Sequence, residues 1–176
     1  TYTFQWMENN GNGCIDSDTV SVALNYIPSS DFEVGSIHCF GENTTITYTG
    51  NGTGSASYTW NFGPATILSG SGQGPYNLNF TNSGIFPVTL QVSQNGCTSA
   101  ITTQSVSIPV SINLSISTSD VTCFDANNGN ANASVSGGIP PFTFHWSNGA
   151  ASSNLSSLNG GNYSLTVTDN SGCAVS

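Results

Sequence analysis

The chain has 176 residues, no Lys or Arg, nine Asp and Glu and two His, so its formal net charge at pH 7 is −9. Proteins that bind nucleic acids or anionic membranes draw much of their affinity from Lys and Arg, so the composition excludes nucleic acid as a partner. No apolar run is long enough for a membrane helix, and we expect no direct membrane insertion. A surface so poor in charge is typical of an extracellular protein.

Short segments in which apolar and polar residues alternate predict strands along the whole chain. In chain order they cover residues 20–26, 58–62, 86–92, 112–116, 142–146 and 163–167. Clusters of Gly, Asn, Ser and Pro separate these segments and predict turns. We therefore predict an all-β fold without helices.

The contexts of the five cysteines show an internal repeat. Cys14, Cys97 and Cys173 each follow a Gly, whereas Cys39 and Cys123 each precede a Phe. We call the first group closing cysteines and the second group opening cysteines. Each type recurs at a spacing of roughly 80 residues, which is close to the length of a small immunoglobulin-like β-sandwich.

The repeat divides the chain into tandem immunoglobulin-like β-sandwich modules. Residues 1–26 are predicted to be the C-terminal strands of a truncated module, residues 31–108 a complete module, and residues 112–176 a shorter complete module. The joints after residues 26 and 107 each contain Ile-Pro, which predicts short, semi-rigid linkers. Because residue 1 falls inside a repeat, we expect the sequence to be an excerpt of a longer chain.

Five cysteines in a chain of extracellular character predict disulfides. The order of opening and closing residues predicts bonds within each module, Cys39–Cys97 and Cys123–Cys173. Cys14 is then expected to pair with an opening cysteine upstream of the sequence. A zinc site or a nucleophilic cysteine is the weaker alternative, because there is no Cys-x-x-Cys and no Cys/His cluster of suitable spacing.

Carboxylates without competing cations make calcium the main metal hypothesis, since Ca²⁺ prefers oxygen ligands. The candidate ligands are Asp16, Asp18 and Asp125, with solvated turn carboxylates as the simpler alternative. Asp169 is a further candidate, for which an Asx turn is an equally good explanation. No cofactor is otherwise expected.

Catalysis is not predicted. A glycosidase pair at Asp16 and Asp18 is the closest arrangement of carboxylates, and no basic residues surround it. No Gly-x-Ser-x-Gly elbow is present. The triplet at residues 18–20 resembles a Bacteroidota O-glycosylation site and makes Thr19 a candidate for sugar attachment.

Two longer motifs lie in residues 112–176. Residues 137–149 read Gly-Gly-Ile-Pro-Pro-Phe-Thr-Phe-His-Trp-Ser-Asn-Gly, and residues 158–173 read Leu-Asn-Gly-Gly-Asn-Tyr-Ser-Leu-Thr-Val-Thr-Asp-Asn-Ser-Gly-Cys. Together they closely resemble the SprB-type repeat of gliding-motility adhesins from Bacteroidota. The resemblance implies a repeat of a very large secreted protein, exported by the type IX system, with a role in stalks and adhesion.

The middle module is similar to polycystic-kidney-disease (PKD) type domains, an immunoglobulin-like family. The resemblance rests on Tyr-Thr-Trp-Asn-Phe-Gly at residues 58–63 and on Gly-Ile-Phe-Pro-Val-Thr-Leu-Gln-Val at residues 84–92. Asn61 stands where the family has Asp. Residues 1–26 resemble the end of another such module.

These observations predict a structural and adhesive repeat region of a large bacterial surface protein, in gliding motility or attachment. One alternative is a non-catalytic glycan-binding or spacer module of a secreted polysaccharide-degrading enzyme. A second alternative is a self-assembling extracellular filament subunit. The expected partners are neighbouring repeats of the same chain, with surface polysaccharide or like chains as further candidates.

Overall fold

The structure is a computed structural model, and it describes residues 1–9, 11–13, 15–123 and 125–176. Every regular element in these residues is a β-strand, which confirms the prediction of an all-β fold. No helix capable of crossing a membrane is found in this described part of the chain.

The first two strands form an antiparallel hairpin. β1 (Tyr2–Asn9) pairs with β2 (Ile15–Val22), and every described residue of both strands is exposed. The pairs Tyr2–Val22 and Phe4–Val20 place aromatic and branched side chains on one face, where Phe4 remains 59% exposed. The face of this hairpin is therefore apolar but uncovered.

The next eight strands form a two-sheet sandwich, which we call the middle sandwich. One sheet has the order β3-β4-β7-β6 and the other the order β10-β8-β5, with β9 beside β8. This is the arrangement of a constant-type immunoglobulin domain. The strands are β3 (Phe32–Val34), β4 (Asn43–Tyr48), β5 (Ser57–Asn61), β6 (Thr66–Ser69), β7 (Tyr76–Asn79), β8 (Gly84–Gln94), β9 (Cys97–Thr98) and β10 (Thr102–Ile108).

The core of the middle sandwich follows from the alternation in its strands. Ile46 and Leu78 from one sheet and Val88 and Leu90 from the other are fully buried. Their neighbours along each strand face outward, as the two-residue period of a strand requires. Trp60 packs edge-on against Phe32 of the facing sheet, with ring centroids 5.1 Å apart.

The last six strands form the C-terminal sandwich, with sheets β11-β12-β14 and β13-β15-β16. It repeats the middle sandwich without the fourth strand. Trp146 is buried between the sheets, and its Nε1 donates to the carbonyl of Ser152 at 2.9 Å. The strands are β11 (Asn113–Ser119), β12 (Gly129–Ser136), β13 (Thr143–Trp146), β14 (Asn154–Leu158), β15 (Leu165–Thr168) and β16 (Ala174–Val175).

The two cysteines of the middle sandwich lie at opposite ends of it. Cys97 directly follows the turn after β8, where it pairs with Gln94. Cys39 precedes β4, whose first residue pairs with the last residue of β7, Asn79, so the loop of Cys39 lies where β8 begins. β8 has 11 residues, which at about 3.3 Å per residue separates its two ends by about 33 Å.

The C-terminal sandwich separates its cysteines in the same way. β11 begins beside the end of β12, at Asn113 and Ser136, so Cys123 after β11 lies far from the linker. The turn that ends in Cys173 lies near the linker, because the amide of Asn170 donates to the carbonyl of Ile139 just beyond β12.

The predicted pairs Cys39–Cys97 and Cys123–Cys173 are therefore wrong in this structure. A disulfide needs Cα atoms within about 7 Å of each other, and the sandwich geometry places each predicted pair at opposite ends. The bond that forms joins Cys39 to Cys173. Cys14 lies outside the described residues, and so does its predicted pairing.

Candidate functional site at the junction of the two sandwiches

The disulfide between Cys39 and Cys173 connects the two sandwiches at the end where the linker between them also runs. Its Cα atoms are 5.5 Å apart, and the two residues are separated by 134 positions in the sequence. The Sγ of Cys173 also lies 3.2 Å from the carbonyl oxygen of His38. The junction therefore has two covalent connections, the linker and the disulfide.

Glu42 fixes the loop that carries Cys39. Its Oε2 accepts hydrogen bonds from the backbone N–H of His38 at 2.8 Å and of Cys39 at 3.1 Å. The N–H of His38, followed by that of Cys39, lowers the pKa of Glu42 below its ordinary value, because both hydrogen bonds favour the carboxylate. The loop is thus closed by its own last residue, directly before β4 begins.

Asp169 fixes the turn that carries Cys173. Its Oδ1 accepts from the backbone N–H of Ser171 at 2.8 Å and of Cys173 at 3.0 Å. Its Oδ2 accepts from the N–H of Ile139 at 3.0 Å. The Asx turn considered for Asp169 is therefore present, and the same carboxylate also holds the loop after β12.

The pKa of Asp169 reflects two opposing effects. Burial raises this pKa, whereas the hydrogen bonds from the backbone N–H of Ile139, Cys173, Ser171 and Gly172 lower it, and the net result is below the ordinary value. Asp169 is 8% exposed, so the negative charge of its carboxylate is stabilised by these backbone N–H donors. No lysine or arginine exists in the chain to do so.

The predicted calcium ligands do not come together. Asp16 lies on β2 opposite Glu8, and Asp18 lies opposite Trp6. Asp125 is an exposed residue of the loop after β11, in the C-terminal sandwich and not in the N-terminal hairpin. The described residues contain no group of three His, Cys, Asp or Glu side chains that could hold a metal ion. Calcium binding stays a prediction.

Thr19 is exposed on β2, where it pairs across the hairpin with Gln5. Its backbone N–H donates to Oδ1 of Asp18 at 2.8 Å. The side chain is open to a modifying enzyme, and glycosylation at this position stays a prediction.

The sequence indicated the cysteines and an Asx turn at Asp169, but not that Asp169 and Glu42 hold the cysteines. The signal for Asp169 was its position four residues before Cys173, in an Asp-Asn-Ser-Gly-Cys turn. The signal for Glu42 was its position three residues after Cys39. Both carboxylates are close enough in sequence to reach the N–H of their cysteine.

Two immunoglobulin-like sandwiches in tandem, bonded across their junction, define a disulfide-linked β-sandwich repeat region. Residues 115–151, which include β12 and β13 of the C-terminal sandwich, match the model of the SprB repeat family. This family is a structural and adhesin-type repeat rather than a catalytic one, and its repeats occur in cell-surface proteins. No curated protein matches the chain. The PKD-type resemblance of residues 31–108 stays a prediction.

Proposed function

We propose that the chain is a structural and adhesive repeat region of a large secreted protein displayed on a bacterial cell surface. The observation that carries the proposal is the disulfide between two successive sandwiches, Cys39–Cys173. The match of residues 115–151 to the SprB repeat supports the same assignment and favours a surface adhesin of Bacteroidota. The proposal includes a role in gliding motility and export by the type IX system.

The physical argument concerns orientation. A single linker, even a semi-rigid one, allows successive domains some bending, whereas a second covalent bond at the same end restricts them to a narrower range of angles. Restricted angles keep a chain of sandwiches extended, so that its tip is held away from the surface that anchors it. This geometry suits a spacer or stalk that presents adhesive repeats.

The chemistry of the surface supports an extracellular role. The disulfide suits an oxidising compartment. The side chains carry nine acidic groups and no lysine or arginine, so the surface repels the anionic cell envelope instead of adhering to it non-specifically. Solubility then rests on Ser, Thr and Asn.

The proposal is tested on cells that express the natural polypeptide, with an antibody against residues 31–176. Intact cells are treated with proteinase K, since trypsin finds no Lys or Arg in this region. We expect a very large species that disappears from whole cells on treatment, while a cytoplasmic control protein stays intact. A modest-sized species free in the medium would contradict the proposal and favour an appendage of a secreted polysaccharide-degrading enzyme.

A further inference from the structure

The loops that carry the two opening cysteines share one backbone hydrogen bond. In the middle sandwich the N–H of Glu42 donates to the carbonyl of Cys39 at 3.3 Å. In the C-terminal sandwich the N–H of Ala126 donates to the carbonyl of Cys123 at 3.1 Å. Each opening cysteine is therefore the first residue of a hydrogen-bonded β-turn.

A second feature of these turns also agrees. Two residues after each opening cysteine the backbone is left-handed, with φ of 87° at Gly41 and 60° at Asp125. Type II turns require a positive φ at this position, and Gly adopts it without steric cost. Asp125 also has a positive φ although it has a side chain, so the two loops agree at this position despite different residues.

The turns that carry the closing cysteines match as well. Gly96 precedes Cys97 with φ of 78°, and Gly172 precedes Cys173 with φ of 85°. Both turns connect a longer strand with the two-residue strand that follows it, β8 with β9 and β15 with β16.

Each closing turn is also tied to the loop between the second and third strands of its sandwich. Gln94 accepts from the N–H of Thr53 through Oε1 at 3.0 Å. Asp169 accepts from the N–H of Ile139 through Oδ2 at 3.0 Å. The side chain that begins the turn thus plays one role in both sandwiches, and Cys97 and Cys173 occupy equivalent positions.

We propose that Cys97 and Cys123 are inter-module disulfide sites. Cys123 is the site for the closing cysteine of a following sandwich, and Cys97 is the site for the opening cysteine of a preceding one. The structure already contains this bond once, between opening Cys39 and closing Cys173, while Cys97 and Cys123 are free. Repetition of the bond would connect each sandwich to both of its neighbours.

The surface around Cys123 has room for a closing turn. Cys123 is exposed and lines an open cavity of about 660 Å³ together with Val121, Asp125, Asn159 and Gly160. Backbone groups of a Gly-Cys turn are small enough to enter it. By analogy with the bond between Cys39 and Cys173, we expect the partner at Cys123 to carry a closing turn of this kind.

Formation of each bond removes two protons and two electrons from two thiols. The electrons pass to a disulfide oxidant, which is itself reduced to two thiols. Oxidised glutathione is such an oxidant in the test tube. The proposal concerns thiol pairing alone, so it does not depend on the adhesive role.

The test uses a second copy of this chain as the partner. Two variants are prepared on a Cys14→Ser background, one with Cys97→Ser and the other with Cys123→Ser. The first offers only Cys123 and the second offers only Cys97, while Cys39–Cys173 is intact in both. Each variant alone, and an equimolar mixture, are oxidised with glutathione buffer and separated on non-reducing gels.

We expect each variant alone to stay monomeric and the mixture to give one heterodimer. Pepsin fragments should then contain a peptide of Cys97 bonded to one of Cys123. The heterodimer should be lost when the chains are oxidised in urea. Unfolded chains lack the folded loops that bring Cys97 and Cys123 together, so only chance pairing remains. Dimers from the Cys97→Ser variant alone, or no heterodimer in the native mixture, would overturn the proposal.

Discussion

Glu42 and Asp169 hold the two halves of one disulfide by the same interaction. The N–H of Cys39 donates to Oε2 of Glu42 at 3.1 Å, and the N–H of Cys173 donates to Oδ1 of Asp169 at 3.0 Å. One carboxylate belongs to the middle sandwich and the other to the C-terminal sandwich. Each sandwich therefore holds its own cysteine with a carboxylate of its own.

Removal of the inter-sandwich disulfide should loosen the junction. For Cys39→Ser/Cys173→Ser we expect a lower melting temperature and a broader distribution of dimensions in small-angle scattering. The loop-closure model gives an upper value of about 5 kcal/mol for a separation of 134 residues.

The matched control for this variant is Cys97→Ser/Cys123→Ser, which removes the two cysteines that are free in the structure. It should leave both the melting temperature and the scattering curve unchanged. Equal behaviour of the two double variants would contradict the assigned disulfide.

Loss of the Glu42 carboxylate should make the disulfide easier to reduce. Glu42→Ala removes the acceptor for the N–H of His38 and Cys39, so the loop gains mobility and the sulfur becomes more accessible to a thiolate. We expect reduction by dithiothreitol to be several-fold faster, measured by iodoacetamide labelling and mass spectrometry. Glu33→Ala, at an exposed carboxylate on β3, is the control and should not change the rate.

The Asp169 carboxylate should make stability depend on pH in the acid range. Its pKa in the folded protein lies below the ordinary value of 3.8. The carboxylate therefore contributes stability above the ordinary pKa, and this contribution is lost as pH falls through the lowered pKa. At pH 7, Asp169→Asn should melt several degrees lower than the wild type, and the two curves should converge in acid.

Thermal melts between pH 7 and pH 2 measure this difference for Asp169→Asn. Asp120→Asn, at an exposed carboxylate after β11, is the control and should follow the wild type throughout. A constant gap between Asp169→Asn and the wild type over the whole pH range would count against the role of the charge.

The two tryptophans at opposite extremes of burial should respond differently to truncation. Trp146 is 1% exposed and Trp6 is 64% exposed. Trp146→Ala leaves a large cavity between the sheets, at a cost of about 3–5 kcal/mol in the unfolding of the C-terminal sandwich. Trp6→Ala should change stability by less than about 0.5 kcal/mol. Unfolding in urea, followed by circular dichroism, compares the two variants.

Much of the fold could be predicted from alternation alone. Val88, Leu90 and Val92 were expected on one face of a strand, and the structure buries all three. The two-residue period is a local property, so it can be recognised in the sequence without knowledge of the partner strands. The apolar character of the hairpin face at Phe4 and Val20 can also be recognised in the sequence. That nothing packs against this face cannot be recognised there.

The disulfide pairing could not be predicted from the contexts of the cysteines. Those contexts identify equivalent positions in successive repeats, but they carry no information about which end of the sandwich each position occupies. Five strands, β4 to β8, lie between Cys39 and Cys97. Strands that alternate in direction carry the chain to the opposite end after an odd number of passes, so these two residues cannot meet. A strand count would have excluded the predicted pair.

The bond between Cys39 and Cys173 also changes how the protein can be stretched. Fully extended, 134 residues have a contour of about 470 Å. Force applied to the two ends of the chain is transmitted through the disulfide, so the residues between Cys39 and Cys173 carry no tension. Unfolding under force therefore cannot extend this part of the chain. The two sandwiches are thereby an almost inextensible tether when oxidised and an extensible one when reduced.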